Sequence, residues 1–315
     1  MTISPIEAMQ RAVDIVGSSP HPTNKIAAAL FKGSEIITST NIWPHDLETK
    51  IGRDVRIGNS SGTLHAEVNC LLHFPIATEG ASLCITDPFC PNCAKNIAES
   101  GVKKIYLDHK GFEKDFALRR GSEFSDMSLR IVSRAGISLY QVWRKEGRVE
   151  ALHEIDPDYI PPQDNPIKVE KTNLHPNIYA LNQIIEATQV IHPRWACALA
   201  KNAQGENFFL VASAHPAIGY TRGQDADTIK QKEGKYSFYL EPLNRLMMGA
   251  KRFGLELYDG LIWSSEVPTS RELVNCVGAG IETICLGTEE SARDEEAIAA
   301  SRLLAEKNVM QFISL

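Results

Sequence analysis

The chain has 315 residues, of which 43% are hydrophobic and 23% are charged. This composition excludes a disordered protein and supplies enough apolar material for two domains. The formal net charge of −6 lacks the basic excess of a dedicated nucleic-acid-binding protein, so we expect no nucleic-acid partner. The seven cysteines include only one closely spaced pair, which argues against a disulfide framework and favours a cytoplasmic protein.

The first predicted element is an amphipathic helix in the N-terminal stretch MTISPIEAMQRAVDIV. This stretch has neither a basic segment nor an apolar core of the kind found in secretory signals, so we expect no signal peptide. No apolar run in the sequence approaches the roughly 18 to 20 residues that a membrane span requires. We therefore predict that the protein has no membrane partner.

Two strands joined by a glycine turn follow, in KIAAALFKGSEIITSTNIWPH at residues 25–45. The next segment, residues 45–63, is polar and carries Lys50, Arg53 and Arg56. It is compatible with a solvated loop, and also with a substrate loop in which Arg53 or Arg56 contacts a phosphate.

The next two motifs carry the chemistry. The tripeptide H-A-E contains His65 and Glu67, and C-P-N-C contains Cys90 and Cys93. One imidazole and two thiolates are a ligand set for catalytic zinc, which commonly keeps its fourth position for water. A C-x-x-C pair at a helix start lies on one side of that helix, and the helix N-terminus favours thiolates. A redox pair is the alternative, but the two motifs together favour a metal site.

Glu67 lies two residues after His65. In a regular helix of about 3.6 residues per turn, the two side chains would point roughly 200° apart. The two side chains can act at one metal only if the metal lies near the N-terminus of the helix. Glu67 is then near the metal-bound water. This position suits a carboxylate that carries protons.

H-A-E followed by C-P-N-C resembles the zinc deaminases that act on cytidine, deoxycytidylate, adenosine or guanine. The resemblance covers about residues 5–143, with the later half as an altered copy. The helix after Cys93 and the strand KKIYLD resemble the deoxycytidylate and tRNA-adenosine branch. That family usually has proline directly before the first cysteine, where this chain has Phe89. We expect this difference to affect the choice of substrate more than the binding of zinc.

The resemblance implies Zn²⁺ held by His65, Cys90 and Cys93, with Glu67 as the catalytic proton carrier. It implies hydrolytic deamination of an amino-bearing nucleobase, first of all a free cytosine nucleoside or nucleotide of the CMP or dCMP type. The alternatives are guanine, adenine or a tRNA base, and a non-catalytic zinc-stabilised scaffold. The partners expected are a small-molecule substrate and, from the resemblance alone, a second copy in a homodimer.

Four residues are candidate substrate contacts. In the family, the backbone N–H at the position of Ala66 binds a ring carbonyl, and an asparagine at the position of Asn41 often bonds the sugar or base. Trp43 and Phe89 could stack on a base. The alternatives are a turn asparagine for Asn41 and ordinary packing for the two aromatic residues.

The second half of the chain resembles the first, and the shared order of several elements favours a duplication over a chance likeness between unrelated α/β segments. WACALAKNAQGENFFLVASAHPA at residues 195–217 repeats the strand pair, and GAGIETICLG at residues 278–287 repeats ESGVKKIYLD at residues 99–108. Aligned on these stretches, Cys90 falls on Thr269 and Cys93 on Glu272, while His65 falls near Tyr239 and Glu67 near Glu241. The second copy is therefore predicted to bind no metal.

Strands that alternate with helices predict the α/β class. With the resemblance, we expect two cytidine-deaminase-like α/β/α domains of three layers, each with a central mixed sheet of about five strands. We assign residues 1–145 to the catalytic zinc domain and residues 172–315 to the degenerate copy. The polar, proline-rich residues 146–171 between them read as a linker.

Overall fold

A computed structural model describes residues 2–113, 124–189, 192–230 and 237–315. The chain forms two compact units, and each unit draws on separate parts of the sequence. The first unit comprises Met1–Ile42, His65–Asp164 and Pro216–Leu240. The second unit comprises Trp43–Leu64, Asn165–His215 and Glu241–Leu315.

The described helices are numbered in chain order. They are α1 (Pro5–Ile15), α2 (His45–Lys50), α3 (Ala66–His73), α4 (Pro91–Glu99), α5 (Leu129–Arg134), α6 (Ile178–Ala187), α7 (Ala226–Lys230), α8 (Pro242–Arg252), α9 (Ser270–Gly278) and α10 (Glu295–Glu306). Short 3-10 segments lie at Val16–Ser18 and His109–Glu113, and a π-helical turn lies at Phe124–Ser128. In the parts of the chain described, none of these helices has the length and apolar character needed to cross a membrane.

The strands of the first unit form one mixed sheet. They are β1 (Ala27–Lys32), β2 (Glu35–Thr40), β3 (Ser82–Ile85), β4 (Lys104–Asp108), β5 (Ser138–Trp143) and β6 (Arg148–His153). Their order is β2-β1-β3-β4-β5-β6. Strand β1 is antiparallel to β2 and β3, whereas β3, β4 and β5 run parallel. Strand β6 adds to the far edge, antiparallel to β5.

Helices cover both faces of this sheet. Helix α1 begins after Ser4, whose hydroxyl accepts a hydrogen bond from the backbone N–H of Glu7, and it buries Met9 against a cluster that includes Ala27 and Ala29 of β1. Because side chains alternate along a strand, Ala28 and Leu30 face the other way. Helix α3 contacts β1 and β2, and the Cys70 Sγ lies 3.5 Å from the carbonyl oxygen of Ala28.

The second unit repeats this topology. Its strands are β7 (Lys168–Lys171), β8 (Trp195–Lys201), β9 (Asn207–Ser213), β12 (Glu256–Ser264), β13 (Thr283–Leu286) and β14 (Gln311–Ser314), and a short pair is formed by β10 (His215–Pro216) and β11 (Tyr239–Leu240). The six-stranded order is β14-β13-β12-β8-β9-β7. Strand β8 is antiparallel to β9 and β12, and β12, β13 and β14 run parallel. Strands β8, β9, β12, β13 and β14 thus match β1 to β5 in order and direction, as expected of a duplication.

The α/β fold with two domains is confirmed, with six strands in each sheet where about five were predicted. The sixth strands, β6 and β7, both lie in residues 146–171, which had been interpreted as a linker. That part of the interpretation was wrong: the segment supplies an edge strand to each sheet. All six residues of β6 are exposed, so the strand has no apolar alternation by which the sequence could reveal it.

The two units exchange equivalent segments of the chain. Residues 43–64, between β2 and α3, belong to the second unit, and residues 216–240, between β9 and α8, belong to the first. Each segment follows the second strand of its own copy and precedes the helix after it. The contiguous domain boundaries predicted from the sequence, residues 1–145 and 172–315, stay a prediction. The two units of the structure are instead discontinuous in sequence.

Candidate metal centre and active site

His65, Cys90 and Cys93 come together at the N-termini of two helices. His65 is the N-cap residue of α3 and Cys90 the N-cap residue of α4, and both have extended backbone conformations. Cys93 is the third residue of α4. Pro91 occupies the first position of that helix, where the missing N–H is not needed for a helical hydrogen bond.

The three donor atoms are close enough to share one ion. The His65 Nδ1 lies 3.2 Å from the Cys93 Sγ and 3.7 Å from the Cys90 Sγ, and the two sulfur atoms are 3.5 Å apart. In a tetrahedral zinc site with Zn–S of about 2.3 Å and Zn–N of about 2.0 Å, adjacent ligands lie about 3.5 to 3.8 Å apart. The donor set therefore fits zinc, and the described residues contain no second group of three His, Cys, Asp or Glu of this kind.

The electrostatics favour the ligand form of Cys90. The hydrogen bond between Cys90 and Cys93 lowers the pKa of the Cys90 thiol well below its ordinary value, against the effect of burial, and His65 adds to the lowering. The thiolate is the form that binds metals. Burial instead raises the pKa of Cys70 and Cys84, which keeps these two as thiols in the core. All seven cysteines are free.

Glu67 lies beside this group, as the second residue of α3, and is 2% exposed. Because His65 is an N-cap residue with extended φ and ψ, the 200° separation of a regular helix does not apply. The Glu67 carboxyl hydrogen-bonds Cys93, and burial raises the pKa of Glu67 despite the opposing effect of His65. Its Oε2 is buried and has no hydrogen-bond partner in the described chain.

Asn41 and Ala66, both predicted to contact substrate, are bonded to each other. The backbone N–H of Ala66 donates to the Asn41 Oδ1 at 2.9 Å, and the Asn41 Nδ2 donates to the carbonyl oxygen of Asn24 at 3.0 Å. Asn41 thus satisfies the first N–H of α3, which no helical carbonyl can reach. The side chain ties the strand end, the turn at Asn24 and the helix carrying Glu67 together.

The two aromatic candidates have packing partners. Phe89 is 2% exposed, and its ring meets the edge of Phe124 at a centroid distance of 5.3 Å. Trp43 belongs to the second unit, where the Arg53 guanidinium lies 5.6 Å from the centre of its ring. Stacking of either residue on a base stays a prediction.

The polar segment after Trp43 is not wholly a loop, since residues 45–50 form α2. Arg53 pairs with Glu48, with 2.8 Å between its Nε and the Glu48 Oε1, and Arg56 donates to the carbonyl oxygen of Asn59 at 2.8 Å. These contacts lie inside the second unit. A phosphate contact at Arg53 or Arg56 stays a prediction.

His21 is a neighbour of the centre that the sequence did not reveal. Its Nδ1 accepts hydrogen bonds from the backbone N–H groups of Asn24 and Thr23, at 2.9 and 3.3 Å. Burial, and after it nearby His65, lowers the pKa of His21, which favours its neutral imidazole. In the sequence it reads as part of the turn HPTN before β1, and nothing there indicates a position near His65.

Comparisons with known proteins agree with the donor set. Residues 4–108 match the family described as the cytidine and deoxycytidylate deaminase zinc-binding region. An "uncharacterized deaminase in luxG 3'region" of Aliivibrio fischeri is 31% identical over 128 residues, which are 40% of this chain and 85% of that protein.

Two solved structures of the dCMP deaminase from cyanophage S-TIM5 are also similar. The complex with dCMP and dUMP is 22% identical with a TM-score of 0.33, and the match covers 42% of this chain and 93% of that chain. The apo form is 22% identical with a TM-score of 0.32, covering 44% and 96%. On the family match and the Aliivibrio fischeri relative, the chain belongs to the cytidine and deoxycytidylate deaminase family of zinc-dependent enzymes, which hydrolyse an amino group.

Proposed function

We propose that the chain deaminates a free cytosine nucleoside or nucleotide, with zinc held by His65, Cys90 and Cys93 and with Glu67 as the proton carrier. The observation that carries this proposal is the convergence of the three donor atoms next to a buried carboxylate with one unpartnered oxygen. A purely structural zinc normally closes its fourth position with a protein ligand. A buried carboxylate beside an open position instead suits hydrolysis.

Zinc bound to these three residues would lower the pKa of a water molecule toward neutrality and so supply the nucleophile. The Glu67 carboxylate accepts the proton that this water loses and passes it to the ring nitrogen, and then carries a proton to the departing amine. In balance, water and the ring C–NH₂ group give a ring carbonyl and ammonia. The burial of Glu67 excludes bulk water from this transfer.

Asn41 acts in this proposal first as a positioning residue. Its amide oxygen already accepts the Ala66 N–H, and its amide nitrogen is bonded to Asn24. A ring carbonyl could reach the Ala66 N–H by sharing it with Asn41 or by displacing the Asn41 oxygen. Direct binding of a sugar or base by Asn41 would use the second hydrogen of its amide nitrogen.

The choice of a free pyrimidine rests on two supports. The matched family is described by cytidine and deoxycytidylate. The net charge of −6 also disfavours a polynucleotide, because a protein that neutralises phosphates needs a basic surface. Cytoplasmic location and a homodimer stay predictions from the sequence.

The test is ammonia release by the purified, zinc-loaded protein. Cytidine, deoxycytidine, CMP, dCMP and cytosine would be compared with guanine, adenine and their nucleosides. We expect release from at least one cytosine nucleoside or nucleotide, and none after Cys90→Ala. The matched control is Cys84→Ala, which alters a buried cysteine outside the donor group. Release only from a purine would overturn the substrate class, and release from nothing would support the scaffold alternative.

A further inference from the structure

The second unit has side chains at the same three helix positions that carry the donor group in the first unit. In the first unit these positions are the N-cap of α3, the N-cap of α4 and the third residue of α4. In the second unit, the matching positions of α8 and α9 hold Glu241, Thr269 and Glu272. This equivalence corrects the sequence alignment, because Glu241 takes the place of His65 and not that of Glu67.

The local sequence of the second unit still specifies both helix starts. Glu241 is followed by Pro242 at the first helical position, just as Cys90 is followed by Pro91. Both N-cap residues of the second unit, Glu241 and Thr269, have the extended backbone seen at His65 and Cys90. Both helix N-termini of the second unit therefore keep the backbone conformation of the donor positions, and the Glu241 and Glu272 carboxyl groups are close enough to influence each other's charge.

The Glu272 side chain connects α8 with α9, as a shared ion connects two helices in a metal centre. Its Oε1 accepts from the backbone N–H of Leu243 in α8 at 2.8 Å. Its Oε2 accepts from the backbone N–H and the hydroxyl of Thr269, each at 2.8 Å. Because Glu272 is 2% exposed, these bonds are shielded from water and tie the start of α8 to the start of α9.

Glu241 supplies a second buried acidic group, and two arginines balance the charge. Its Oε1 lies 3.2 Å from the Arg293 Nη1, and its Oε2 lies 3.4 Å from the Arg194 Nη2. The Arg293 Nη2 also holds Asp294, the N-cap residue of α10, at 2.8 Å. Arg194 pairs more loosely with Glu266, at 3.9 Å.

The buried acidic groups of the second unit require a positive charge near them. In the first unit, two thiolates would be neutralised by a divalent ion. In the second unit, acidic groups replace sulfur and nitrogen, and a buried acid without a partner is costly. A guanidinium attached to the chain satisfies that requirement without any metal.

We propose that the second unit carries a former metal site, in which the Arg293 guanidinium provides the positive charge that zinc provides in the first unit. Glu241, Thr269 and Glu272 stand at the former ligand positions. The site is closed to metal for two reasons: both Glu272 oxygens already accept hydrogen bonds from Leu243 and Thr269, and Arg293 already pairs with Glu241. This proposal relies on the ligand assignment in the first unit.

The test restores the ligands and removes the internal cation. The full-length variant Glu241→His, Thr269→Cys, Glu272→Cys, Arg293→Ala should raise the zinc content from one to two ions per chain. The matched triple variant that keeps Arg293 should bind its second zinc more weakly, because the guanidinium repels the ion. In both variants the zinc of the first unit serves as an internal reference, so its loss would instead question the ligands of the first unit.

The proposal is overturned if the folded quadruple variant holds a single zinc, or if the triple variant binds the second zinc equally well. Should neither variant fold, a double-mutant cycle of Arg293→Met with Glu241→Gln tests whether the Arg293 guanidinium compensates the buried Glu241 carboxylate. We expect Arg293→Met to lower the unfolding midpoint and Glu241→Gln to recover part of that loss. Additive effects of the two substitutions, or an Arg293→Met effect no larger than that of exposed Arg302→Met on α10, would also overturn it.

Discussion

Glu67 is the residue on which the proposed chemistry depends most. It is 2% exposed, it hydrogen-bonds Cys93, and its Oε2 has no partner within the described residues. A buried carboxylate oxygen without a partner costs folding free energy. Residues of this kind are typical of functional sites, where the substrate completes the hydrogen bonding.

We predict that Glu67→Gln keeps the metal and loses turnover. The amide has nearly the same shape but cannot carry a proton, and loss of an acid–base group typically costs about 10²- to 10⁴-fold in rate. Zinc content and ammonia release would be measured on one preparation, with exposed Glu35→Gln in β2 as the control. A variant with wild-type turnover would remove Glu67 from the mechanism.

Asn41 stabilises the start of α3, the helix that carries Glu67, because its side chain accepts the Ala66 N–H. Asn41→Ala leaves the Ala66 N–H and the Asn24 carbonyl oxygen without their partner, and each buried unsatisfied group costs about 1 to 3 kcal/mol. We expect a lower denaturant midpoint and faster loss of zinc to a chelator. Exposed Asn173→Ala is the control, and equal behaviour of the two variants would show that Asn41 does not position α3.

At the scale of elements, the helix starts determine both sites. The pairs Cys90–Pro91 and Glu241–Pro242 are N-cap and first-position pairs, a signal that the sequence contains. The first was recognised through the spacing of its cysteines. The second is not evident from the sequence, because the alignment is set on the strands and FYLEPLNRL contains no histidine or cysteine that would mark the helix start. The exposed strand β6 was missed for lack of any apolar pattern.

The start of α9 predicts a specific pH dependence of stability. Burial and nearby Glu241 raise the pKa of Glu272 from 4.5 to about 7, although three hydrogen bonds oppose the shift. The titratable groups that interact with its charge are Glu241, Arg293 and Cys276. Because the folded state binds the proton more tightly, the contribution of Glu272 to stability is complete below pH 4.5 and declines as the pH rises through 7.

Glu272→Gln removes this titration. The wild type should therefore lose stability relative to the variant between pH 5 and pH 7.5, and one pKa unit corresponds to about 1.4 kcal/mol. Denaturant midpoints of both proteins across this range provide the measurement. A difference between them that does not change with pH would mean that Glu272 keeps an ordinary pKa in the folded protein.

At the scale of the whole molecule, the repeated topology was predictable and the exchange of segments was not. Apolar strands such as those at residues 27–32 and 195–201 give the α/β pattern from composition and period alone. Residues 43–64 and 216–240 are assigned to the unit formed mainly by the other half of the chain. That assignment depends on contacts far apart in sequence, which no local pattern encodes.

The exchange predicts that the first half of the chain does not fold properly alone. A fragment ending at Asp164 lacks residues 216–240 of the first unit and retains residues 43–64, which belong to the second. We expect it to aggregate or self-associate through the apolar surface left uncovered. Size-exclusion chromatography with light scattering would show this, whereas a stable and fully active monomer would contradict it.

The central claim is that one zinc ion binds per chain, at His65, Cys90 and Cys93. Elemental analysis of the purified protein tests it most directly, with Cys90→Ala plus Cys93→Ala beside the wild type and Cys276→Ala as a buried-cysteine control. The account predicts one zinc per chain in the wild type and the control, and none in the double variant. Two zinc ions per wild-type chain, or one retained by the folded double variant, would contradict it.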